Sequence, residues 1–239
     1  MLLSRKNSPN FFFEKRLWKK GLSIIAGVDE VGRGCFAGPI VAGCAIFSKS
    51  TIIPENIAID DSKKLSPRQR ERGSTWVKEN ALTWGIGEVQ TSTINRLGMA
   101  KATKMAFRKA VSDARKRLGK SIDYLLIDAF FIPYIRQLPI RRKKDGKGRY
   151  LKNPKGRQRA IINGDEKSLS IAAASIIAKV YRDKLMLKLS KKVKFKKYGW
   201  GRNKGYGTKE HQLAIKAYGI TRYHRKVFVK NFLPKADFA

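Results

Sequence analysis

Short runs of apolar residues in the first half of the chain predict β-strands. The runs at residues 22–31 and 38–47 are joined by a glycine-rich turn, and a third run covers residues 82–90. The apolar run within residues 123–130 predicts a short buried strand. Since helical patterns separate the later strands, the order of elements predicts a mixed α/β sheet.

Helical patterns follow these strands. Ser66 and Pro67 predict a helix start, because serine caps a helix well and proline fits the first helical position. Residues 95–119 carry a helical pattern, and residues 168–193 form the longest and most apolar helix candidate. A short helix is expected at residues 209–219, before a basic tail with aromatic residues.

The pattern divides the chain into three parts. Residues 1–20 are predicted to be a basic N-terminal extension, and residues 21–190 to be the main α/β domain. Residues 136–159 are rich in Gly, Pro, Lys and Arg, which predicts a mobile basic loop inserted into that domain. Residues 191–239 are predicted to be a helical and loop region that completes the binding site.

The charge of the chain indicates the class of its partner. Its 239 residues include 53 Lys and Arg against 18 Asp and Glu, which gives a formal net charge of +35. So large a charge attracts polyanions, and nucleic acid is therefore the first partner to expect. No long amphipathic basic helix indicates membrane binding, and no apolar stretch is long enough to span a bilayer.

The few cysteine and histidine residues exclude a zinc site. Cys35 and Cys44 are the two cysteines, and no Cys or His spacing is that of a zinc site. Such sparse cysteines suit a reducing compartment, and the N-terminus lacks the apolar core of a signal peptide. We therefore expect a cytoplasmic protein that does not bind membranes.

Four acidic residues lie in apolar surroundings. Asp29 and Glu30 lie late in the first strand, Asp128 lies at the end of the fourth, and Asp183 interrupts an apolar stripe of the long helix. A buried carboxylate is costly unless it is paired, protonated or bound to a metal. An ion pair between Asp183 and Lys179, one helical turn earlier, is the simpler alternative to a site.

Convergence of these four carboxylates would create a metal site. Clustered negative charges destabilise one another unless divalent cations neutralise them, and oxygen ligands suit Mg²⁺ or Mn²⁺. Two such ions about 4 Å apart catalyse phosphodiester hydrolysis. Because successive strand residues point to opposite faces, Asp29 and Glu30 share a site only if the strand ends or bulges there. Gly32 and Gly34, directly after them, favour such a break.

The glycine turn and a tyrosine loop are candidate substrate contacts. Gly32, Arg33 and Gly34 would let backbone groups approach a sugar or phosphate closely, although an ordinary hairpin turn is the alternative. The third glycine, Gly38, is one residue too far away for a dinucleotide-binding fingerprint, and a strand follows it instead of a helix. Tyr206 lies in a basic loop where its ring could pack on a sugar or base, although a packing role is the alternative.

Two lysines precede the helix that begins at Pro67. Lys63 and Lys64 therefore lie near a helix N-terminus, which favours phosphate contacts. In so basic a chain, a solvated surface is the alternative explanation for both.

Five motifs occur in a fixed order and together resemble one family. They are GVDEVGRG, DSKKLS, LLIDAF, NGDEKSLSIAAASIIAKVYRD and NKGYGTKEH. Their order and spacing are similar to those of bacterial ribonuclease HII, and the resemblance covers residues 22–228. It implies an RNase H-like mixed sheet flanked by helices, with a helical C-terminal part. It also implies an endonuclease that cleaves RNA in RNA/DNA hybrids and at ribonucleotides embedded in DNA, leaving 5′-phosphate and 3′-hydroxyl ends.

The resemblance also implies the site residues. The metal-binding acids would be Asp29, Glu30, Asp128 and Asp183. The ribonucleotide-reading elements would be Gly32, Arg33, Gly34 and Tyr206, and the cofactors would be two Mg²⁺ or Mn²⁺ ions. An aspartate as the last acid, together with the GRG turn, favours type HII over type HIII.

The chain departs from the family pattern in three places. The basic loop before residue 160 is longer and more basic than usual, Asn163 replaces a common lysine, and Tyr181 replaces a common threonine. None of these changes removes an implied metal ligand.

Two alternative functions and one protein partner are also considered. The alternatives are a non-catalytic basic nucleic-acid-binding protein and another acidic-cluster nuclease that acts on DNA or on chain ends. We expect a monomer, with a possible sliding-clamp contact through the tail at residues 229–239.

Overall fold

The computed structural model describes residues 8–132, residue 135 and residues 157–232, and its centre is a five-stranded sheet. The strands are β1 Ile25–Val31, β2 Ile40–Ile46, β3 Thr83–Val89, β4 Tyr124–Asp128 and β5 Gln158–Ile161. Their spatial order is β3-β2-β1-β4-β5. The pairs β1–β2 and β2–β3 are antiparallel, whereas β1–β4 and β4–β5 are parallel. The predicted mixed α/β sheet is therefore confirmed.

Helices cover both faces of this sheet. They are α1 Phe12–Trp18, α2 Pro67–Asn80, α3 Thr91–Leu97, α4 Met99–Leu118, α5 Leu169–Ser190, α6 Val193–Lys196, α7 Trp200–Asn203, α8 Lys209–Tyr218 and α9 Lys226–Val229. Short 3₁₀ turns follow at Gly164–Glu166 and Lys230–Phe232. In the part of the chain that the structure describes, no helix is both long and apolar enough to cross a membrane.

The two long helices pack on opposite faces of the sheet. Ala26 and Val28 of β1 belong to the core cluster that includes the buried side of α4. On the other face, α5 approaches β1 and β2 so closely that side chains are excluded. A Cβ added at Gly27 would lie 2.1 Å from the carbonyl carbon of Ser170, and one at Gly43 would lie 2.1 Å from the carbonyl oxygen of Ala174. The buried helix α5 thus lies directly on the central strands.

The start of α2 follows the sequence prediction. The Ser66 side chain accepts a hydrogen bond from the Gln69 backbone N–H, and the Gln69 side chain accepts one from the Ser66 backbone. This reciprocal capping box and Pro67 at the first turn confirm the predicted helix start. The predicted strands at 22–31, 38–47 and 82–90 are confirmed as β1, β2 and β3.

Two local predictions are wrong. The helix expected at 95–119 is two helices, because Gly98 has φ +79° and separates α3 from α4. The loop expected at residues 136–159 includes the start of β5, since Gln158 and Arg159 pair with Leu125 and Leu126 of β4. The rest of that predicted loop, residues 136–156, lies outside the described residues.

The two ends of the described chain pack against the sheet domain. On α1, Glu14 is buried and its Oε1 accepts hydrogen bonds from the Ser168 hydroxyl (2.7 Å) and the Ser170 backbone N–H (3.1 Å), at the start of α5. Helices α6, α7 and α8 and the end of α5 contribute to a separate small core around Trp200. The proposed division at residues 1–20, 21–190 and 191–239 remains a prediction.

Candidate active site

A cavity of about 570 Å³ opens where β1 and β4 end. Because these strands are parallel neighbours, their carboxyl ends meet at one edge of the sheet. The lining residues include the glycine turn after β1, and they are Asp29, Glu30, Val31, Gly32, Arg33, Gly34, Ser62, Lys63, Arg70, Asp128, Asp165, Ser175, Lys179 and Tyr206. We call this cavity the acidic pocket.

Asp29 and Glu30 both line the acidic pocket although they belong to a regular strand. Strand pairing continues one residue beyond Glu30, to Val31 opposite Val41, so no bulge brings them together. Asp29 contacts Ser175 on the α5 side, and the strand ends directly afterwards. The pocket extends past the end of β1, and both carboxylates reach it. Of the two conditions predicted from strand geometry, the strand end is the one that applies.

Asp128 reaches the same pocket from the end of β4. The register pairs Val28 with Ile127, which places Asp128 beside Asp29 in the sheet. One carboxylate oxygen of Asp128, Oδ1, accepts a hydrogen bond of 2.7 Å from the Gly164 backbone N–H. Three of the four acids predicted from the sequence therefore line one pocket.

Asp183 does not line the acidic pocket. It lies one helical turn after Lys179 on α5. Together with Arg70 and Val180 it lines a neighbouring, smaller cavity. Its Oδ1 is 2.9 Å from the Lys179 ammonium, and both side chains are largely buried. The ion pair named as the alternative is therefore present, and metal binding by Asp183 remains a prediction.

Two acidic residues beside the pocket were not predicted from the sequence. Asp165 lies on the 3₁₀ turn after β5 and lines the pocket, and Asp61 lies next to it. The Lys63 ammonium is 3.8 Å from Asp61 Oδ1 and 3.9 Å from Asp165 Oδ2. Both acids belong to the quoted motifs, but neither lies in an apolar strand or helix segment, which was the signal used to find the others.

Burial and neighbouring charges raise the pKa values of three carboxyl groups in the pocket. The pKa of Asp29 lies well above its usual value because of burial and, next, the charge of Glu30. Burial also raises the pKa of Glu30 to about 7, although Arg33 opposes the shift. Burial and the neighbouring Asp61 raise the pKa of Asp165 to about 6. The pocket therefore holds negative charge at a free-energy cost.

The glycine turn and Tyr206 form another wall of the pocket. Gly32 has φ +87°, a conformation that favours glycine, whereas Gly34 has open space around it. The exposed Arg33 places its guanidinium 4.7 Å from the centroid of the Phe130 ring. Tyr206 is 39% exposed, and burial raises the pKa of its hydroxyl to about 12.

The two lysines predicted to contact the substrate lie at different cavities. Lys63 lines the acidic pocket, but Lys64 lines a neighbouring cavity and its ammonium is 2.7 Å from Glu166 Oε1. The structure thus brings Lys63, but not Lys64, to the predicted substrate site.

The donors in the pocket suit hard divalent cations. Asp29, Glu30 and Asp128 offer only carboxylate oxygens, which Mg²⁺ and Mn²⁺ prefer. The Oε2 atom of Glu30 is buried and has no hydrogen-bond partner, so it is free to bind a cation. Over the described ranges, no three His, Cys, Asp or Glu side chains already stand in an arrangement that could hold one ion.

Comparisons with known proteins agree on one family. The family model of Ribonuclease HII matches residues 26–232. Ribonuclease HII of Caldanaerobacter subterraneus subsp. tengcongensis is 42% identical over 224 residues, which cover 93% of this chain and 80% of that protein. Ribonuclease HII of Clostridioides difficile is 43% identical over 221 residues, or 92% of this chain and 76% of that protein.

Solved structures show the same fold. The ribonuclease H2 of Pyrococcus horikoshii superposes with a TM-score of 0.63 at 26% identity, covering 87% of this chain and 96% of that one. Two more distant structures, each under 25% identical, share the fold. One is Bst-RNase HIII in complex with Mn²⁺ (TM-score 0.62, 22% identity, 88% of this chain and 69% of that one). The other is RNase HII of Archaeoglobus fulgidus in a complex with PCNA (TM-score 0.61, 24% identity, 90% of this chain and 100% of that one).

The residues matched by the family model, 26–232, include the acidic pocket and the Tyr206 loop, and both bacterial relatives match more than nine tenths of the chain. The chain therefore belongs to the ribonuclease HII family, a family of ribonucleases H that act as endoribonucleases on RNA/DNA hybrids.

Proposed function

We propose that the acidic pocket cleaves the RNA strand of RNA/DNA hybrids and also cuts at single ribonucleotides embedded in duplex DNA. The products would carry 5′-phosphate and 3′-hydroxyl ends. One observation supports this site above others: three carboxylates meet at the ends of β1 and β4, in a chain whose net charge is +35. A basic surface attracts the duplex, and the local acidic pocket suits the metals that hydrolysis needs.

Asp29, Glu30 and Asp128 would hold the divalent ions, and Asp183 would join them after leaving Lys179. When held by these carboxylates, divalent ions would supply the chemistry of water activation and stabilisation of the leaving oxygen in phosphodiester hydrolysis. The family and the Mn²⁺ complex of Bst-RNase HIII support dependence on a divalent metal, and either Mg²⁺ or Mn²⁺ suits these oxygen donors. Glu30 contributes the buried, unpartnered oxygen that a cation would satisfy.

The glycine turn and Tyr206 would recognise the ribonucleotide. Gly34 leaves open space for the backbone of the substrate, and Tyr206 exposes part of its ring into the same pocket. RNA differs from DNA at the 2′-hydroxyl, so a hydroxyl contact from Tyr206 lets the enzyme select a ribose without reading base edges. Arg33, exposed beside these residues, and Lys63 would contact phosphates.

A cleavage assay tests the proposal. The substrates are end-labelled duplexes with no, one or four ribonucleotides, each incubated with Mg²⁺ or Mn²⁺. Wild-type protein should cut only the ribonucleotide-containing duplexes, and Asp29→Asn should lose cleavage while it retains duplex binding in EDTA. Lys64→Gln is the matched control, since Lys64 faces another cavity.

Three outcomes would contradict the assignment. Wild-type cleavage rates in Asp29→Asn would remove the pocket from the reaction. Cleavage of the all-DNA duplex would favour another acidic-cluster nuclease, and metal-independent binding without any cleavage would favour a non-catalytic nucleic-acid-binding protein.

The partners and location remain proposals. We propose that the protein works as a monomer in the cytoplasm, with the duplex as its main partner. The PCNA complex of the Archaeoglobus fulgidus enzyme supports testing for a sliding-clamp contact. The tail proposed for that contact, at residues 229–239, lies outside the described residues from position 233 onward.

A further inference from the structure

Two fully buried arginines lie beneath the glycine turn. Arg182 belongs to α5 and Arg225 directly precedes α9, and neither side chain has measurable exposure. Neither forms an ion pair with a carboxylate among the described residues. Every hydrogen bond that their guanidinium groups donate goes to a backbone carbonyl oxygen.

Arg182 joins the segment after the glycine turn to the Tyr206 loop. Its Nε and Nη2 donate to the carbonyl oxygens of Pro39 and Ala37, both at 3.0 Å. Its Nη1 donates at 2.8 Å to the carbonyl oxygen of Lys204, two residues before Tyr206. One rigid guanidinium thus fixes the distance between two segments that are far apart in sequence.

Arg225 attaches the C-terminal region to the glycine turn itself. Its Nη1 donates at 2.8 Å to the carbonyl oxygen of Arg33, the central residue of the turn. Its Nε and Nη2 donate to Gly38 at 3.0 and 2.9 Å, and Nη2 also donates to Pro39 at 3.0 Å. One side chain therefore holds both the centre of the turn and the segment that follows it.

Direct backbone contacts complete the connection. The N–H groups of Phe36 and Ala37 donate to the Gly205 carbonyl oxygen at 2.8 and 3.1 Å. Gly205 has φ +84°, and a Cβ there would lie 2.4 Å from the Ala37 carbonyl oxygen. The glycine turn and the Tyr206 loop consequently have little freedom to move apart.

Fold stability alone does not explain two buried, unpaired cations. Removing a guanidinium from water is costly, and well-packed apolar residues in place of buried ions are often at least as stable. Burial lowers the pKa of Arg225 to about 10, and the positive charge of Arg182 opposes its ionisation further. Planar, multidentate donors do, however, impose a geometry that apolar packing cannot.

We propose that Arg182 and Arg225 are positioning residues that set the spacing between the glycine turn and Tyr206, and thereby the preference for a ribonucleotide over a deoxyribonucleotide. The inference rests on the proposed function, in which these two elements together recognise the ribonucleotide. It assigns the preference to a buried connection as well as to the residues that touch the substrate.

The test compares two affinities for each protein. Binding is measured in EDTA for a duplex with one ribonucleotide and for the same duplex without it, using wild type, Arg182→Lys and Arg225→Lys. Lysine keeps the charge but loses the planar fork. We expect the ratio of the two affinities to fall about 10-fold, which corresponds to the loss of one hydrogen bond to the ribose. Affinity for the all-DNA duplex should stay within about twofold, because phosphate contacts dominate it.

Thr83→Val is the matched control for lost stability. Thr83 is buried in β3, the edge strand furthest from β4 and β5. Its hydroxyl donates a hydrogen bond to the carbonyl oxygen of Ala114 in α4. This variant should lose stability while it keeps the wild-type affinity ratio. In Mn²⁺ assays, the arginine variants should raise KM for the ribonucleotide duplex more than they lower kcat, a split that general destabilisation does not produce.

An additional variant covers the case in which neither lysine variant folds. Gly205→Ala keeps both arginines but forces its Cβ against the Ala37 carbonyl oxygen, so it should reduce the same ratio. A wild-type ratio in the folded lysine variants, or in Gly205→Ala if those do not fold, overturns the inference. If wild type itself shows no preference for the ribonucleotide, the proposed function fails first, and the inference falls with it.

Discussion

A buried histidine pair makes the stability of this fold sensitive to mild acid. His224 accepts a hydrogen bond at Nδ1 from the Thr221 backbone N–H, so its Nε2 carries the proton and donates to His211 Nε2 at 3.1 Å. His211 donates from Nδ1 to the Tyr206 carbonyl oxygen at 2.8 Å, and its Nε2 also accepts from the Trp200 indole N–H. All four ring nitrogens are therefore hydrogen-bonded while both imidazoles are neutral. A proton added to either ring would point at another hydrogen-bond donor.

The expected loss of stability follows from the pKa of His224. Burial and, next, the neighbouring His211 lower this pKa to about 3, against about 6.5 in an unfolded chain. Between these values the unfolded chain binds a proton that the folded chain does not, so the free energy of unfolding falls as the pH falls. The slope approaches about 1.4 kcal/mol per pH unit below the unfolded pKa, which gives about 2.3 kcal/mol between pH 6.5 and 4.5. The pKa of His211 is also lowered, mainly by burial, and adds to the same trend.

The carboxyl groups of the acidic pocket act in the opposite direction. The pKa values of Glu30 and Asp165 are raised, so the folded chain binds protons more tightly than the unfolded chain and acid stabilises these groups. The assay must therefore isolate the histidine. Urea unfolding is measured at pH 6.5, 5.5 and 4.5 for wild type and for His224→Gln, whose amide retains a donor for His211. The wild type should lose about 2.3 kcal/mol more than the variant over this range, and parallel pH profiles would refute the reasoning.

Three further predictions concern the site. Gly32→Ala should reduce kcat/KM at least about 10-fold and destabilise the fold by about 1–3 kcal/mol in urea unfolding, because its φ is +87° and a Cβ would lie 2.1 Å from Arg182 Nε. Gly34→Ala, which meets open space, should keep the wild-type stability; equal effects would contradict the steric argument. Lys179→Met should lower the Mn²⁺ concentration for half-maximal binding several-fold in calorimetry, since it frees Asp183 from a competing cation, and weaker binding would argue against a role for Asp183. Affinity for any duplex should fall steeply between 50 and 200 mM salt in fluorescence anisotropy, with a slope of about −0.9 per phosphate neutralised; a flat profile would exclude phosphate contacts.

The elements that the sequence predicted best are those with strong local signals. The glycine turn, the capping box that begins with Ser66 and the long apolar helix follow from short-range chemistry. Strand β5 has no such signal, because its four residues include the exposed Arg159 and are fixed by pairing with β4. The break at Gly98 was equally hard to predict, since a single glycine inside a helical pattern is often tolerated.

The site residues also differ in whether a local sequence signal identifies them. Asp29, Glu30 and Asp128 were predictable, because each is an acid in an apolar segment with a strand end nearby. Arg182 and Arg225 were not, because a chain with 53 lysines and arginines offers no local mark for the two that become buried. Burial of a cation among carbonyl oxygens is a property of the assembled turn and loops, which a local pattern does not contain.

The distribution of ion pairs in this region argues for a metal site in the acidic pocket. Each of the flanking acids has a lysine of this chain within 4 Å, and these acids are Asp61, Asp165, Glu166 and Asp183. No salt bridge reaches Asp29, Glu30 or Asp128 from any described residue. In a chain with 53 basic and 18 acidic residues, pairing these three carboxylates with a lysine or arginine would be easy. Three adjacent carboxylates without such a partner among the described residues support the proposal that a cation from solution binds there. In that proposal Lys179 is the counterion of Asp183 until a divalent ion displaces it.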